Sequence, residues 1–285
     1  MIRSKNIQQK IAFHIFRLLS FGILGILVWI LGFIIYNGIQ VISWEFITSY
    51  PKEGMTEGGI FPAIIGTIYL VIGSMIFAVP LGIMSAIYIS EYASNQKWVK
   101  FIRIMTNNLA SIPSIVFGLF GMALFVHTFG FGDSILAGSL TLGILIIPIV
   151  IRTTEEALKA VPESYRLGSF ALGATKLQTI KNVVFPIAFP NIMTGLILSV
   201  GRVSGETAPI LFTVAAYFLP KLPQSIFDQA MALPYHLYVI ATSGTDIEAS
   251  KPIAYGTAFV LISIVLTINL LAGWIRRYFE KQNSI

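Results

Sequence analysis

The chain alternates between six long apolar segments and shorter polar stretches. The apolar segments cover residues 18–36, 60–90, 109–126, 135–151, 188–214 and 252–275. Segments of about 20 apolar residues are long enough to cross a bilayer as helices. A β-barrel would instead need many short segments of alternating polarity. The pattern therefore predicts an all-α integral membrane protein with six transmembrane helices.

The first apolar segment follows four basic residues, as the apolar region of a signal peptide does. It is long, however, and no A-x-A-like cleavage site follows it. We therefore expect a basic N-terminus at 1–17 and an uncleaved anchor helix at 18–36. The rest of the membrane domain is expected to form one core at 60–277, because no repeat or linker divides the chain.

Lysine and arginine fall mostly on one side of the predicted helices. Of 19 such residues, three lie on the opposite side, namely Lys52, Lys221 and Lys251. One more, Arg202, lies inside the fifth segment, and all the others lie at the termini or in the second and fourth connections. Basic residues are enriched on the cytoplasmic side of membrane proteins. Both termini and the 152–187 connection are therefore predicted to be cytoplasmic.

The composition excludes several other classes of protein. Of 285 residues, 55% are hydrophobic and only 11% are charged, against about 25% charged in soluble domains. The absence of cysteine excludes disulfides, thiolate metal sites and a cysteine nucleophile. The three histidines (His14, His127 and His236) are far apart, so no metal site is expected. No phosphate-binding G-x-x-x-x-G-K-[ST] loop or serine-hydrolase motif is present, so the chain is not expected to be an enzyme.

The 152–187 connection is too long for a hairpin and is patterned like a helix. Pro162 and Glu163 suit the first turn of a helix. One apolar helical face is formed by Leu167, Phe170, Ala171, Ala174 and Leu177. Gly173 interrupts this pattern, which favours two short helices with a turn near Gly173. Such a segment suits either the membrane surface or a docking site for a cytoplasmic partner, and its periodicity does not separate the two.

This connection also resembles a known motif. Gly173, followed after nine residues by Val183-Val184-Phe185-Pro186, is similar to the EAA-x3-G-x9-I-x-L-P motif of ABC-type import permeases. The flanking Arg152-Thr153-Thr154 and the stretch Gly205-Glu206-Thr207-Ala208-Pro209 after Gly201-Arg202 resemble the phosphate ABC transporter permeases of the PstA type. The resemblance covers about residues 60–277. The motif indicates an ABC importer, and the stretch around Arg202 is the part that indicates phosphate.

The resemblance implies an ABC importer type I permease architecture in a prokaryotic plasma membrane. It also implies three kinds of partner: a second, similar permease, two copies of an ATPase subunit, and an extracytoplasmic phosphate-binding protein. ATP and magnesium would be bound by the ATPase, and no cofactor is expected in this chain. The 152–187 loop would fit a groove on the ATPase, with the coupling residues Glu163, Leu167, Gly168, Ser169, Phe170, Ala171, Gly173, Ala174 and Leu177.

The motif is not fully kept. Leu167 stands where the family has its glutamate, and Gly168-Ser169 replace the two alanines. The acidic contact with the ATPase is therefore expected to be lost or to be moved to Glu163. Because the small residues and the glycine turn are kept, docking itself is still expected.

Arg202 and Glu206 are the charges inside the predicted spans. Arg202 lies about 20 Å along the fifth helix, near the middle of the bilayer. The two residues share a helix face at i, i+4, so pairing would reduce the cost of both charges. They are either a structural pair that fixes the fifth helix or a site on a substrate pathway. A guanidinium suits phosphate because its planar fork makes two charge-assisted bonds to oxygens.

Two further residues are candidates for this pathway. Thr207 could offer its hydroxyl there, although threonine in a membrane helix commonly bonds its own backbone. Arg152 is either a contact for the anion at the exit or an ordinary cytoplasmic cation. Small residues on the fifth helix predict a close helix contact at a subunit interface, and they are Gly195, Ser199, Ser204 and Gly205.

The favoured function is the permease subunit of an ATP-driven phosphate importer that works by alternating access. A permease for another oxyanion, such as sulfate or molybdate, remains an alternative, because one arginine does not choose among oxyanions. An ion-coupled secondary transporter is the second alternative, but the inverted repeats that would support it are absent from the sequence. An intramembrane enzyme would lack its catalytic residues.

Overall fold

The computed structural model describes residues 2–93, 96–243 and 247–283. The chain folds into a bundle of helices, which confirms the all-α prediction. It also has one short β-hairpin, with two residues in each strand. The elements are α1 (Ile2–Ile39), α2 (Trp44–Thr48), β1 (Pro51–Lys52), β2 (Glu57–Gly58), α3 (Phe61–Ile87), α4 (Gln96–Ala110), α5 (Ser114–Gly121), α6 (Ile135–Lys159), α7 (Glu163–Ala171), α8 (Lys176–Thr179), α9 (Phe185–Gly205), α10 (Ala208–Leu211), α11 (Leu233–Thr242) and α12 (Ile247–Asn283).

The helices are long enough for five or six membrane spans. Those that qualify singly are Ala12–Ile39, Phe61–Tyr92, Ile135–Lys159, Lys176–Gly205 and Ile247–Phe279. The pair Lys97–Ala110 and Ser114–Thr128 is bent by 97° and gives a sixth span if both parts are counted together. Three of these stretches contain a π-helical turn, at Tyr88–Tyr92, Met122–Thr128 and Ile180–Val184.

The third apolar segment does not form the single helix that was predicted at 109–126. Helix α4 ends at Ala110, and α5 begins after Pro113. Proline has no N–H and disfavours a helical conformation at the residue before it, so the bend falls at this point. Helix α4 exposes Trp98, Phe101 and Met105. An amphipathic helix at 97° to a spanning helix is typical of the membrane surface.

Aromatic contacts define the two ends of the bundle. Phe189, near the start of α9, contacts Phe279 of α12 with ring centroids 5.0 Å apart. At the opposite end, Phe33 of α1 contacts Tyr255 of α12 at 5.6 Å. We call the end that carries α7 the α7 end, and the opposite one the α2 end. The N-terminal part of α1 and the C-terminal part of α12, as far as the structure describes them, lie at the α7 end, as the predicted alternation of spans requires. That this end faces the cytoplasm stays a prediction.

Helices α3, α6 and α9 form the core, and small residues set their spacing. A Cβ atom at Gly82 of α3 would lie 2.6 Å from Val150 Cγ1 of α6. A Cβ atom at Gly195 of α9 would overlap the Thr153 side chain of α6. Because lipid tails are as apolar as leucine, membrane helices associate through such close packing. Leu142, Leu145, Ile146 and Val203 fill the space beyond these contacts.

The fifth span ends earlier than predicted. The helix that contains α8 and α9 stops at Gly205 and does not reach residue 214. Glu206 is extended (φ −72°, ψ 130°), and Pro209 lies in the separate helix α10. The chain after α10 then caps α6, since the N–H groups of Ser134 and Ile135 donate to the carbonyls of Thr213 and Asp228, each at 2.9 Å.

The connection between α10 and α12 contains structure of its own. The N–H groups of Gln224 and Ser225 donate to the Asp228 carboxylate at 2.8 and 2.9 Å and lower its pKa. Helix α11 follows, and the N–H of Leu233 donates to Thr67 Oγ1 of α3 at 2.8 Å. This stretch therefore folds back onto the α2 end of the bundle.

The contact between α6 and α9 predicts a stability difference between two alanine variants on one helix. Gly195→Ala should destabilise the protein by about 1–3 kcal/mol, because the new methyl group overpacks against Thr153. Gly201→Ala should leave the stability unchanged or raise it, because a Cβ atom at this position would have Asn269 Nδ2, at 3.8 Å, as its nearest neighbour. Thermal unfolding in detergent measures both. Equal unfolding temperatures would contradict the close approach at Gly195.

Candidate functional site

Helix α7 lies on the surface of the molecule, at the end of the bundle that is named after it. It begins at Glu163, directly after Pro162, whose backbone (φ −57°, ψ 141°) is extended. Glu163 stands in the first turn, where the positive end of the helix dipole favours a carboxylate. The helix predicted at this proline is therefore present and starts one residue after it.

The chain reverses between α7 and α8 at Gly173. Its φ of 82° lies in the left-handed region, which glycine adopts without strain. The N–H of Gly173 donates to the Phe170 carbonyl at 2.9 Å, and that of Ala174 donates to the Ser169 carbonyl at 3.2 Å. This pair of bonds is the Schellman ending of a helix. The prediction of two short helices with a turn near Gly173 is confirmed.

The apolar residues of this segment point away from the rest of the chain. No residue of α7, all of which the structure describes, is buried. We call the exposed apolar side chains of α7, of the turn and of α8 together the apolar α7 surface, and they are Tyr165, Leu167, Phe170, Leu172 and Leu177. Leu172, in the turn, is 91% exposed. The predicted apolar face is thus left open, because Arg166 and Ser169 occupy the side that faces the bundle.

The other predicted coupling residues lie around this surface. Glu163 and Leu167 are neighbours at i, i+4, so the one acidic group of α7 lies beside the leucine that replaces the motif glutamate. Gly168 has open space around its Cα atom, and Ala171 is exposed. Ala174 is half-buried. The Ser169 hydroxyl lies 2.9 Å from that of Thr179, which ties α7 to α8.

Sequence reasoning missed the role of Arg166, which it counted only among the basic residues. Its guanidinium is largely enclosed and pairs with the Glu91 carboxylate at the end of α3, at 2.8 Å. The sequence signal that could have indicated this contact is the spacing of Arg166 and Ser169. They are three residues apart and lie on the side of the helix opposite Leu167. A polar pair on that side indicates a polar contact with the bundle.

Arg202 and Glu206 form an ion pair at the end of α9. Arg202 Nε lies 3.2 Å from Glu206 Oε1, as the i, i+4 spacing predicted. Helix α9 ends at Gly205, so Arg202 stands in its last turn and Glu206 is the capping residue. The two side chains share one bond, which leaves the other guanidinium nitrogens of Arg202 available to further acceptors.

Contacts between α9 and α6 place this pair at mid-depth. Gly195 packs on Thr153, which lies six residues before the end of α6. Arg202 is seven residues further along α9, or about 10 Å. Because the helices run in opposite directions, this level corresponds to Ile146, close to the middle of α6. Ile146 and Val203 do share one hydrophobic cluster.

The Arg202 side chain is only partly covered by this chain. It is 36% exposed, whereas the Glu206 side chain is 14% exposed. Arg202 continues a stripe on the outer surface of α9 that includes Asn191, Leu198 and Gly205. The predicted subunit-interface role of the small residues is wrong for three of the four residues, because Gly195, Ser199 and Ser204 are buried within this chain.

The other pathway candidates lie at different depths. Thr207, next to Glu206, is the N-cap residue of α10, and its side chain makes no capping hydrogen bond. Arg152 lies on α6 nearer the α7 end, where its Nε pairs with Glu156 Oε1 at 3.1 Å and both side chains are exposed. The structure thus brings Arg202, Glu206 and Thr207 together and keeps Arg152 apart, by about 10 Å along the bundle.

Comparison with known proteins decides the family. One family model, described as "Binding-protein-dependent transport system inner membrane component", matches residues 78–284. The chain belongs to this family. It is a multi-pass membrane permease of the ABC importer class, and the predictions of class and location in a bacterial plasma membrane are confirmed.

Individual relatives are similar over nearly the whole permease. The "Probable ABC transporter permease protein YqgI" of Bacillus subtilis is 37% identical over 291 residues, covering 98% of both chains. The "Phosphate transport system permease protein PstA" of Mycobacterium leprae is 38% identical over 255 residues, covering 88% of this chain and 82% of the relative. The protein of the same name from Pasteurella multocida is 34% identical, over 90% and 89%.

Solved structures share the fold of the permease. The MetNI methionine ABC transporter, in an inward-facing conformation, matches with a TM-score of 0.60 at 18% identity, covering 78% of this chain and 94% of that one. A bacterial alginate ABC transporter in complex with an alginate-bound periplasmic protein matches with a TM-score of 0.61 at 18% identity, covering 92% and 94%. The predicted type I permease architecture is thereby confirmed.

The turn at Gly173 predicts contrasting effects of two alanine variants. Gly173→Ala should destabilise the turn by about 1–2 kcal/mol, because a Cβ atom is strained in the left-handed region. Hydrogen exchange of the amides around residues 170–176 should accelerate by roughly 5- to 30-fold. Gly168→Ala, in the helix with equally open surroundings, should leave exchange unchanged or slower. Similar exchange in both variants would contradict the Schellman ending.

Proposed function

We propose that this permease is one of two membrane subunits of an ATP-driven importer of inorganic phosphate. The observation that carries the proposal is the Arg202–Glu206 pair, which lies at mid-depth with the arginine partly exposed. A charge in lipid at that depth costs at least about 2.5–3.5 kcal/mol, so the exposed side must face water or protein. The relatives named as phosphate transport system permeases support phosphate as the transported ion.

Arg202 would bind the passing anion. Its guanidinium can donate two parallel hydrogen bonds to phosphate oxygens. Glu206 holds the guanidinium in place through Nε and, as a nearby negative charge, also weakens the binding of an anion. Thr207 can add a hydroxyl at the same level, and Arg152 would meet the anion later, nearer the α7 end.

A second, similar permease would complete the path. The exposed stripe of α9 contains Arg202. Helix α5 packs on α10, the short helix that follows α9, because Gly118 of α5 lies against Ala208 and Pro209. Helix α5 also exposes Ile115 and Leu119. Burying this surface against a second permease would remove Arg202 from lipid and enclose a passage between the two chains.

An ATPase dimer would supply the energy at the α7 end, which we place in the cytoplasm on the basis of its basic residues. The apolar α7 surface suits a groove on that subunit, and Glu163 supplies an acidic group beside Leu167. ATP and magnesium would be bound by the ATPase, so this subunit has no hydrolytic activity and no cofactor of its own. An extracytoplasmic phosphate-binding protein would deliver the ion at the α2 end.

Reconstituted vesicles test the function as a whole. Vesicles that contain both permeases and the ATPase, with phosphate-loaded binding protein outside and ATP inside, should accumulate labelled phosphate. Excess sulfate or molybdate should leave uptake unchanged. Equal uptake of sulfate or molybdate would instead indicate a permease for another oxyanion. Uptake by this chain alone, driven by an ion gradient without ATP, would reject the ABC mechanism.

Replacing Arg202 tests the site. Arg202→Gln should lower ATP-driven phosphate uptake by roughly 10- to 100-fold, because a charged hydrogen bond contributes about 1.5–3 kcal/mol. Lys251→Gln, which breaks an exposed ion pair with Glu248 on α12, is the control and should leave uptake unchanged. Normal uptake by Arg202→Gln, in complexes shown to be assembled, would remove Arg202 from the pathway.

A further inference from the structure

An arginine that is largely enclosed joins helix α7 to the membrane-spanning helices. Arg166 Nη2 lies 2.8 Å from Glu91 Oε1, and Arg166 Nε lies 3.4 Å from Glu91 Oε2, so the guanidinium fork meets both carboxylate oxygens. The side chains of Arg166 and Glu91 are 12% and 9% exposed. Glu91 belongs to the π-helical turn that ends the α3 span. The pair therefore connects α7 directly to α3.

The same guanidinium also holds the end of α6. Its Nη1 donates to the Val161 carbonyl at 2.8 Å, and its Nη2 donates to the Leu158 carbonyl at 2.9 Å. Carbonyls at the end of a helix have no partner within the helix, and a basic side chain can satisfy them. One side chain thus contacts three elements, namely its own helix α7, the end of α3 and the end of α6.

Helix α7 also packs on the π-helical turn Ile180–Val184 at the start of the fifth span, but it has few other contacts with α3 and α6. In the parts of the chain that the structure describes, the polar side-chain bonds of α7 with α3 and α6 are those of Arg166. The hydroxyl contact of Ser169 with Thr179 connects α7 to α8, which leads into α9. The remaining side chains of α7 are mostly exposed and form the outward surface.

We infer that Arg166 is the positioning residue through which a displacement of α7 reaches α3 and α6. The inference rests on the proposed function, in which α7 docks on an ATPase. Separating the pair would leave two charges in surroundings that solvate them poorly, so α7 and the end of α3 move together. Docking uses the apolar α7 surface and transmission uses Arg166, and the two roles lie on opposite sides of one helix.

The test uses the complete transporter in vesicles and the ratio of phosphate imported to ATP hydrolysed. Arg166→Gln should lower this ratio by about tenfold, because coupling is lost while ATP hydrolysis continues. The ATPase should still co-purify in the wild-type amount, since the apolar α7 surface is unchanged. Lys251→Gln is the matched control and should keep the wild-type ratio.

A second variant separates transmission from folding. Arg166→Gln leaves Glu91 as an unpaired buried charge, whereas Arg166→Gln combined with Glu91→Gln removes both charges and should restore the unfolding temperature. The double variant should still show the lowered ratio, and a purely structural pair would predict its recovery. Because the chain has no cysteine, cysteines at 91 and 166 joined by a short reducible linker should regain coupling, and reduction should abolish it.

The outcomes distinguish this inference from the proposed function. A wild-type ratio in the assembled double variant would overturn the inference. Failure of both glutamine variants to assemble would also overturn it, because the pair would then serve folding alone. If the wild-type complex imports no phosphate with ATP, the proposed function fails, and the dependence of ATP hydrolysis on added binding protein still reports the effect of Arg166.

Discussion

Close packing of α9 on α6 is the constraint on which the arrangement of this permease depends. In lipid there is no hydrophobic force between apolar helices, so their contacts must come from surfaces that fit. The absence of a side chain at Gly195 lets Thr153 approach the backbone of α9. This contact sets the depth of α9, and therefore the level at which its last turn presents Arg202. The depth of the charged pair is a consequence of where α6 and α9 touch through uncharged residues.

Much of the fold was predictable because its signals are local. The apolar segments predict helices through their length alone, and the basic residues predict which ends of the helices lie together. Gly173 predicted the turn between α7 and α8 because glycine adopts the left-handed backbone conformation of such a turn without strain. The i, i+4 spacing of Arg202 and Glu206 predicted their bond for the same reason, since both residues belong to one helical turn or its immediate end.

The features that were wrong or missed depend on contacts between distant parts of the chain. Helix α4 lies almost wholly in the basic connection before the third apolar segment, so a search for apolar segments missed both this helix and the bend at Pro113. Small residues on α9 predict a close contact but do not name the partner, which for Gly195, Ser199 and Ser204 is this chain itself. Arg166 and Glu91 are 75 residues apart in sequence, and no spacing rule connects them.

The segment of α7 and α8 shows how a motif can change while its exposed apolar surface is kept. Leucine at position 167 removes the charge of the family motif, yet the residue remains exposed among other apolar side chains. The inward side of α7 is polar instead, through Arg166 and Ser169. The sequence pattern of an amphipathic helix is therefore present, but its apolar side is the one that faces away from the membrane helices.

In the proposed pathway, the end of α9 at Gly205 would also affect how long an anion stays near Arg202. The last carbonyls of a helix carry the negative end of its dipole, and here they lie beside the guanidinium together with the Glu206 carboxylate. An anion that reaches Arg202 would meet one full positive charge next to one carboxylate and the negative end of a helix dipole. Such surroundings favour a short residence time, which suits an ion in transit more than one held in storage.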